Sequence, residues 1–229
     1  MKERTEEPAR RTKTVVVACR TLERELTRAM EETGCAFEAV YIESGLHERP
    51  KKLAKTLQET LDGIEADRVL LCLGQCGNAM YGIRAGGFQM ISPRVDDCLS
   101  LLIGDTREKN RLSVRDGAFF MTMGWLRGET TVDKEYARLE KRYGADTALQ
   151  VMKTMYAHYR TMGLLDSGVD DMDALREATR PMAELLGLEQ RAYPAGLAYI
   201  RALLTGPWDD GRFIVKAPGE AVTEADYAP

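Results

Sequence analysis

The chain has 229 residues, 44% of them hydrophobic, and 32 basic against 36 acidic residues give a formal net charge of -4 and a pI near 5.5. That length buries a substantial core without disulfide staples. The even spread of charge offers no basic stripe to a phosphate backbone, which argues against nucleic acid as a partner, and no run approaches the roughly 18 apolar residues needed to span a bilayer.

The opening stretch MKERTEEPARRTK is charged and lacks the apolar centre of a signal peptide. Residues 1–12 are expected to be disordered, and a single α/β domain is expected over 13–217. Thr14-Val15-Val16-Val17-Ala18 reads as a buried strand, because short β-branched runs suit the centre of a parallel sheet, and Cys19 ends it. Leu22, Leu26 and Met30 recur at helical spacing before Gly34, a C-cap. A second strand spans 36–42, the loop Ser44-Gly45-Leu46-His47 follows, and Pro50 opens a helix carrying Leu53, Leu57 and Leu61 on one face. Residues 68–73 form a third buried strand that runs into the glycine-flanked turn Gly74-Gln75-Cys76-Gly77-Asn78. A fourth strand at 88–91 leads through Pro93-Arg94 to Asp96-Asp97-Cys98 at the start of another helix, and a fifth at 118–122 delivers Gly124-Trp125.

Residues 131–163 read as a helical insertion of two helices broken at Gly144-Ala145. A helix over 172–185, a weak strand over 187–192, a helix over 194–204 and a strand over 213–216 follow, and the tail 218–229 is expected to fray. Alternating strands and helices predict a largely parallel, doubly wound sheet flanked by helices, with functional loops at the carboxyl ends of the strands. Positions 19, 43–47, 74–78, 92–98 and 124–125 would then share one edge.

Five cysteines without compact spacing suit free or liganded thiols in a reducing compartment, so a cytoplasmic protein without membrane contact is expected. Cys72 lies inside an apolar strand and Cys35 at the polar start of another, and both read as ordinary packed or surface thiols. Cys19, Cys76 and Cys98 each fall just past a strand or just before a helix, where backbone N–H groups favour a thiolate. Three such thiolates suit a cuboidal iron-sulfur cluster with one iron open to substrate, or a zinc ion completed by His47 and a water or substrate thiol. The competing reading is three small residues in tight turns. His47, before a proline-led helix, suits a ligand or an acid-base group as well as a cap, whereas His158 reads as a structural residue on a packed helix. Asp96 and Asp97 read first as helix caps. Arg94 is a candidate for holding the anionic end of a small substrate, against the commoner fate of a surface ion pair. No dinucleotide glycine motif, Walker lysine, GxSxG elbow or HExxH helix is present.

The Val-Val-Ala-Cys strand end, Gly-Leu-His before a proline, Leu-Gly-Gln-Cys-Gly-Asn, Pro-Arg-Val-Asp-Asp-Cys-Leu-Ser-Leu-Leu-Ile-Gly and Met-Gly-Trp occur in that order. Together with Asp166-Ser167-Gly168, Gly206-Pro207-Trp208-Asp209 and Ala217-Pro218-Gly219, they resemble the bacterial and archaeal family known as domain of unknown function 1638, over about residues 14–219. Members of that family often carry histidine where this chain has Asp96 and glutamate where it has Arg20, which weakens any ligand role for these two positions. Members are often encoded beside corrinoid proteins and methyltransferases, so the resemblance implies a one-carbon or methyl-transfer setting by association. The expectation is an enzyme or accessory enzyme in corrinoid methyl metabolism, built on Cys19, Cys76 and Cys98 with His47 as fourth ligand or acid-base group and Arg94 on the substrate. The alternatives are a non-catalytic metal-binding adaptor docking on a corrinoid protein or methyltransferase through 131–163, and a metal-free enzyme with Cys76 as nucleophile and His47 as its base.

Overall fold

The computed structural model describes residues 12–128 and 130–228. Except for Thr12, the segment expected to be disordered lies outside them. Strand β1 (Thr14–Cys19) leads through a 3-10 turn into α1 (Glu23–Thr33). There follow β2 (Glu38–Ile42), α2 (Pro50–Asp62), β3 (Arg68–Cys72), β4 (Gln89–Pro93), α3 (Cys98–Ile103), α4 (Thr106–Asp116), β5 (Ala118–Met121) and the single turn α5 (Met123–Leu126). The second half runs through α6 (Val132–Tyr143), α7 (Ala145–Met155), β6 (Thr161–Asp166), α8 (Met172–Leu186), β7 (Glu189–Pro194), α9 (Ala198–Thr205) and β8 (Phe213–Lys216).

The α/β class and the mostly parallel pairing are as the sequence predicts, but the strands divide between two sheets. One has the order β2-β1-β3-β4-β8, the other β5-β6-β7. In the first, β1, β2, β3 and β4 are parallel, whereas β8 runs antiparallel to β4, pairing Met90 with Lys216 and Pro93 with Phe213. That returning strand takes the edge on which β5 would have added, so β5 begins a second, wholly parallel sheet.

Residues 15–18 of β1 and 69–72 of β3 are apolar on both faces and buried, as a parallel sheet covered by helices requires. Leu26 and Ala29 of α1 and Leu53, Leu57 and Leu61 of α2 close on them. Helix α1 ends at Gly34 in the left-handed region, φ 68°, and α2 starts on Pro50, where a missing N–H costs nothing. The second sheet shares the main core through Phe120, Leu165 and Tyr193, and its other face forms a smaller core with Leu175 and Ala183 of α8. No helix among the described residues is long and apolar enough to cross a membrane.

Three local readings change. The expected second helix of the 131–163 insertion stops at Met155, and Thr161-Met162-Gly163-Leu164-Leu165 forms β6, the central strand of the second sheet. His158 therefore lies exposed in the turn between them rather than on a packed helix. The tail expected to fray docks. Val222 is buried and exchanges backbone hydrogen bonds with Gly82 (2.9 Å) and Ile83 (2.8 Å), and a short helix at Glu224–Tyr227 is closed by a capping box between Thr223 and Asp226.

Candidate functional site

Because β1, β3 and β4 are consecutive neighbours in the first sheet, their carboxyl ends open side by side. Helical crossovers leave β1 toward β2 on one side and enter β3 on the other, which creates the crevice where open α/β sheets hold ligands. Cys19 is the last residue of β1, Cys76 lies in the turn after β3, and Cys98 opens α3 after β4. The β3 and β4 turns are laced together: the Gln75 N–H donates to the Val95 carbonyl (2.9 Å) and the Cys76 N–H to the Asp96 carbonyl (2.8 Å). Gly74 is required for this approach, since a β-carbon there would sit 2.6 Å from both the nitrogen and the carbonyl carbon of Asp97. Cys76, Gly77 and Asn78 all take positive φ, 48°, 65° and 72°. For a non-glycine residue that conformation costs about 1 kcal/mol or more and persists only where the surroundings enforce it.

The enforcement comes from Asp96 and Asp97. Asp97 caps α3 by accepting from the Ser100 N–H at 2.9 Å. Asp96 accepts from the Ser100 and Thr106 hydroxyls, and the Lys109 ammonium, largely buried, bridges both carboxylates at 2.5 Å each. Burial alone would raise the Asp96 carboxyl, but Lys109, with Ser100 and Thr106, outweighs it and holds the group below the ordinary carboxylate range.

Cys19, Cys76, Cys98 and His47 line one cavity of about 450 Å³, together with Trp125, Leu53, Leu73 and Leu99 and the polar side chains of Thr21, Glu43, Ser44 and Gln75. Cys98 lies beside Cys19 and Cys76 in this lining, and the Thr21 hydroxyl donates to Cys19 Sγ at 3.0 Å. Cys98 first, and then burial, hold the Cys19 thiol well above its ordinary value. For Cys98 the contact with Cys19 favours the thiolate, but Cys76 and burial together outweigh it, and this thiol too is raised. The His47 ring nitrogen Nδ1 bonds the Ser44 carbonyl. A carbonyl only accepts, so Nδ1 carries the proton and Nε2 keeps its lone pair. The ring rests against Trp125, centroids 5.3 Å apart, and Phe119 packs on the far side of that indole at 6.0 Å.

The structure thus brings the three predicted cysteines and His47 to one cavity and leaves Cys35 and Cys72 out of its lining. Arg94 departs from expectation. As the residue after β4 it pairs its N–H with the Arg212 carbonyl, and its side chain lines a neighbouring groove with Arg107 and Arg212. Only Gln75 and Asp96 border both spaces. Among the described residues no group of three or more histidine, cysteine, aspartate or glutamate side chains is placed to hold a metal ion; the Cys19 thiol accepts from the Thr21 hydroxyl instead. Glu43 falls in the 43–47 loop expected at this edge, whereas Thr21 went unmarked in the sequence because it belongs to no catalytic motif, and only its place just beyond β1 brings it in.

A family model described as protein of unknown function (DUF1638) matches residues 41–204. The chain belongs to this family. The DUF1638 match includes His47, Cys76, Arg94, Cys98 and Trp125, while Cys19 and the strand that carries it precede the matched segment. No curated protein and no solved structure matches the chain. DUF1638 membership therefore names the lineage, and the chemistry has to be argued from the cavity.

Proposed function

We propose that this cavity is a thiolate metal centre, zinc or an iron-sulfur cluster held by Cys19, Cys76 and Cys98, with His47 as fourth ligand or acid-base group. The centre would belong to an enzyme or accessory enzyme acting on a small substrate in one-carbon or methyl-transfer chemistry. The observation that carries this reading is that thiols from three strand ends, Cys19, Cys76 and Cys98, line one cavity with His47, with room for a small molecule. The donor set fits: sulfur and imidazole suit zinc or iron, and metal binding to thiols proceeds by release of their protons. When bound, zinc would activate a substrate thiol, whereas a cluster with an open iron would polarise an oxygen-bearing substrate.

The chain's own residues have separable tasks in this reading. Thr21 orients Cys19 through its hydroxyl, and Lys109 fixes the turn that carries Cys98. His47 offers Nε2 to a ligand or a proton, with its tautomer set by the Ser44 carbonyl. Trp125, Leu53 and Leu99 exclude water, and Glu43, Ser44 and Gln75 supply polar contacts to substrate. An anionic substrate end would meet Arg94 only by passing Gln75 and Asp96. The methyl-transfer setting, with a corrinoid protein or methyltransferase as partner, rests on the family resemblance alone.

Metal and sulfide analysis with a visible spectrum, on protein purified without oxygen, tests the centre in wild type and Cys98→Ser. Iron with sulfide and broad visible absorption, or stoichiometric zinc, is expected in the wild type and lost in the variant. A metal-free wild type would overturn the reading. It would favour the second one, in which Cys76 is a lone nucleophile and His47, lining the same cavity, its base. That second reading requires alkylation of Cys76 at neutral pH to slow in His47→Ala.

A further inference from the structure

Beside the cysteine cavity, and sharing Thr21, Glu43 and Ser44 with it, lies a smaller pocket of about 90 Å³ at the junction of the two sheets. Its walls come from the first turn of α1 and from the Gly124–Gly128 segment after β5. That segment lies so close that a β-carbon on Gly124 would fall on the Thr21 carbonyl oxygen. The pocket holds three arginines, Arg20, Arg24 and Arg127, and all three are engaged. Arg20 pairs with Glu43 at 2.7 Å and Glu23 at 3.4 Å, while Arg24 and Arg127 both pair with Asp170, the latter at 3.5 Å.

Glu25 is the group left over. It is 1% exposed and lines this pocket, its Oε1 accepts from the Ser167 hydroxyl at 3.3 Å, and its Oε2 has no hydrogen-bond partner among the described residues. A buried carboxylate oxygen without a partner costs on the order of 1–3 kcal/mol, so such an atom is a place where a ligand gains most by supplying the missing donor. The charges point the same way. Three carboxylates of the lining, Glu23, Glu25 and Glu43, with Asp170 behind it, meet three guanidinium groups, and Glu25 is the carboxylate that makes no ion pair among the described residues. Burial first, with Asp170 in addition, pushes the Glu25 carboxyl upward against the pull of its own backbone N–H, Ser167 and Arg127, as happens to an acid taken out of water. An anion would have to compete for guanidinium groups already engaged, Arg20 with Glu23 and Glu43, and Arg24 and Arg127 with the shared Asp170. The Asp166-Ser167-Gly168 and Met123-Gly124-Trp125 segments, which have no part in the cysteine chemistry beyond Trp125, meet here.

We propose that this pocket is an ammonium subsite of the cysteine cavity, in which Glu25 receives the N–H of a protonated primary amine carried by the substrate or co-substrate. Its assignment to a substrate rests on the cysteine cavity being the reacting site; its affinity for an amine does not. The volume admits about three heavy atoms at roughly 30 Å³ each, an aminoethyl head whose chain would continue past Thr21 and Ser44 toward the thiols.

The test is titration of the full chain with ethylammonium chloride, followed by calorimetry, at fixed pH and ionic strength. Ethanol, acetate and tetramethylammonium serve as probes of the same size, opposite charge and same charge without N–H, and metal content is measured on the same preparations. Ethylammonium is expected to bind at least tenfold more tightly than the other three, with that preference lost in Glu25→Gln and weakened two- to threefold in Ser167→Ala. Equal binding of ethylammonium and ethanol, or of ethylammonium and tetramethylammonium, overturns the subsite whether or not the Glu25 variant folds, and so does no binding at all, which would leave the pocket to water. Ethylammonium binding in metal-free protein would uphold the subsite and sink the metal centre. Retained metal without amine binding would do the reverse.

Discussion

The two sheets reach the cavity by different physical means. The first sheet supplies the thiols on turns tied backbone to backbone, Gln75 to Val95 and Cys76 to Asp96, with a glycine where no side chain fits. The second supplies Trp125 through side-chain packing, indole on imidazole and Phe119 on indole, and touches the first backbone to backbone where Gly124 closes on the Thr21 carbonyl at the ammonium pocket. Backbone contacts have no rotamers with which to absorb a change, whereas packed rings do. The chemistry therefore sits on the unyielding side and the closure on the adjustable one.

The largest expected effect breaks the comparison most directly. Gly74→Ala drives a methyl group onto the Asp97 backbone and is expected to cost about 3 kcal/mol or more, a fall in Tm of roughly 6–12 °C for a chain of this size. Gly163→Ala in β6 places its methyl 2.6 Å from Phe120 Cδ1 and 3.1 Å from Tyr193 Cδ2, edges of side-chain rings rather than backbone, and is expected to cost about 1–2 kcal/mol. Thermal denaturation of both variants decides the matter. Equal losses would mean that the two sheets are alike in stiffness.

Lys109→Met gives the next largest effect. The ammonium is 12% exposed and its two carboxylates 35% and 37%, so the loss lies below that of a fully buried pair, at about 2 kcal/mol. The pH dependence gives the sign. The folded Asp96 carboxyl lies below its unfolded value, so its stabilising contribution is present above the unfolded value of about 4 and is lost as pH falls through the folded one. Denaturant midpoints of wild type and variant should therefore differ near pH 7 and converge below about pH 4. A gap unchanged across that range would mean that Lys109 acts by packing alone.

Much of the first sheet was legible in the sequence, because β1 and β3 are short apolar runs that lead into cysteine or glycine and the flanking helices repeat leucine every fourth residue. The convergence of Cys19, Cys76 and Cys98 followed from that, since strand ends in a parallel sheet share one edge. The second sheet was harder to read. Strand β6 contains Met162, Leu164 and Leu165 but only one β-branched residue, Thr161, so its apolar run continues the helical pattern of Leu149, Met152 and Met155 across the turn at 156–160. The division into two sheets depends on β8, a strand from the far end of the chain, taking the edge beside β4. The ammonium pocket was illegible for a related reason: Glu25 looks like any first-turn glutamate of an amphipathic helix until Gly124 and Ser167 from the second sheet close over it.

The docked tail offers the smallest effect and sharpens the contrast, because it braces only the first sheet's turns. Tyr227 rests against Tyr81, centroids 6.0 Å apart, and the Tyr81 hydroxyl accepts from Gln75 Nε2 at 2.5 Å, next to Cys76. The anchor is Asp226. Burial pulls its carboxyl upward, but Lys216 Nζ at 2.7 Å, with the Thr223 N–H at 2.6 Å and hydroxyl at 2.9 Å, pulls harder and holds it below the ordinary range. Its contribution to docking is thus present above the unfolded carboxylate value and lost as pH falls through the folded one. Asp226→Asn removes the ion pair and half of the capping box at about 0.5–1 kcal/mol, too little to unfold the protein but enough to loosen one region. Hydrogen exchange at the Gly82, Ala85 and Val222 amides should quicken about two- to fivefold at neutral pH, while the β6 amides keep their rates. Acid should produce the same selective loosening in the wild type, after correction for intrinsic exchange. If the β6 amides quicken equally, the tail stabilises the whole molecule and the separate bracing of the first sheet's turns is wrong.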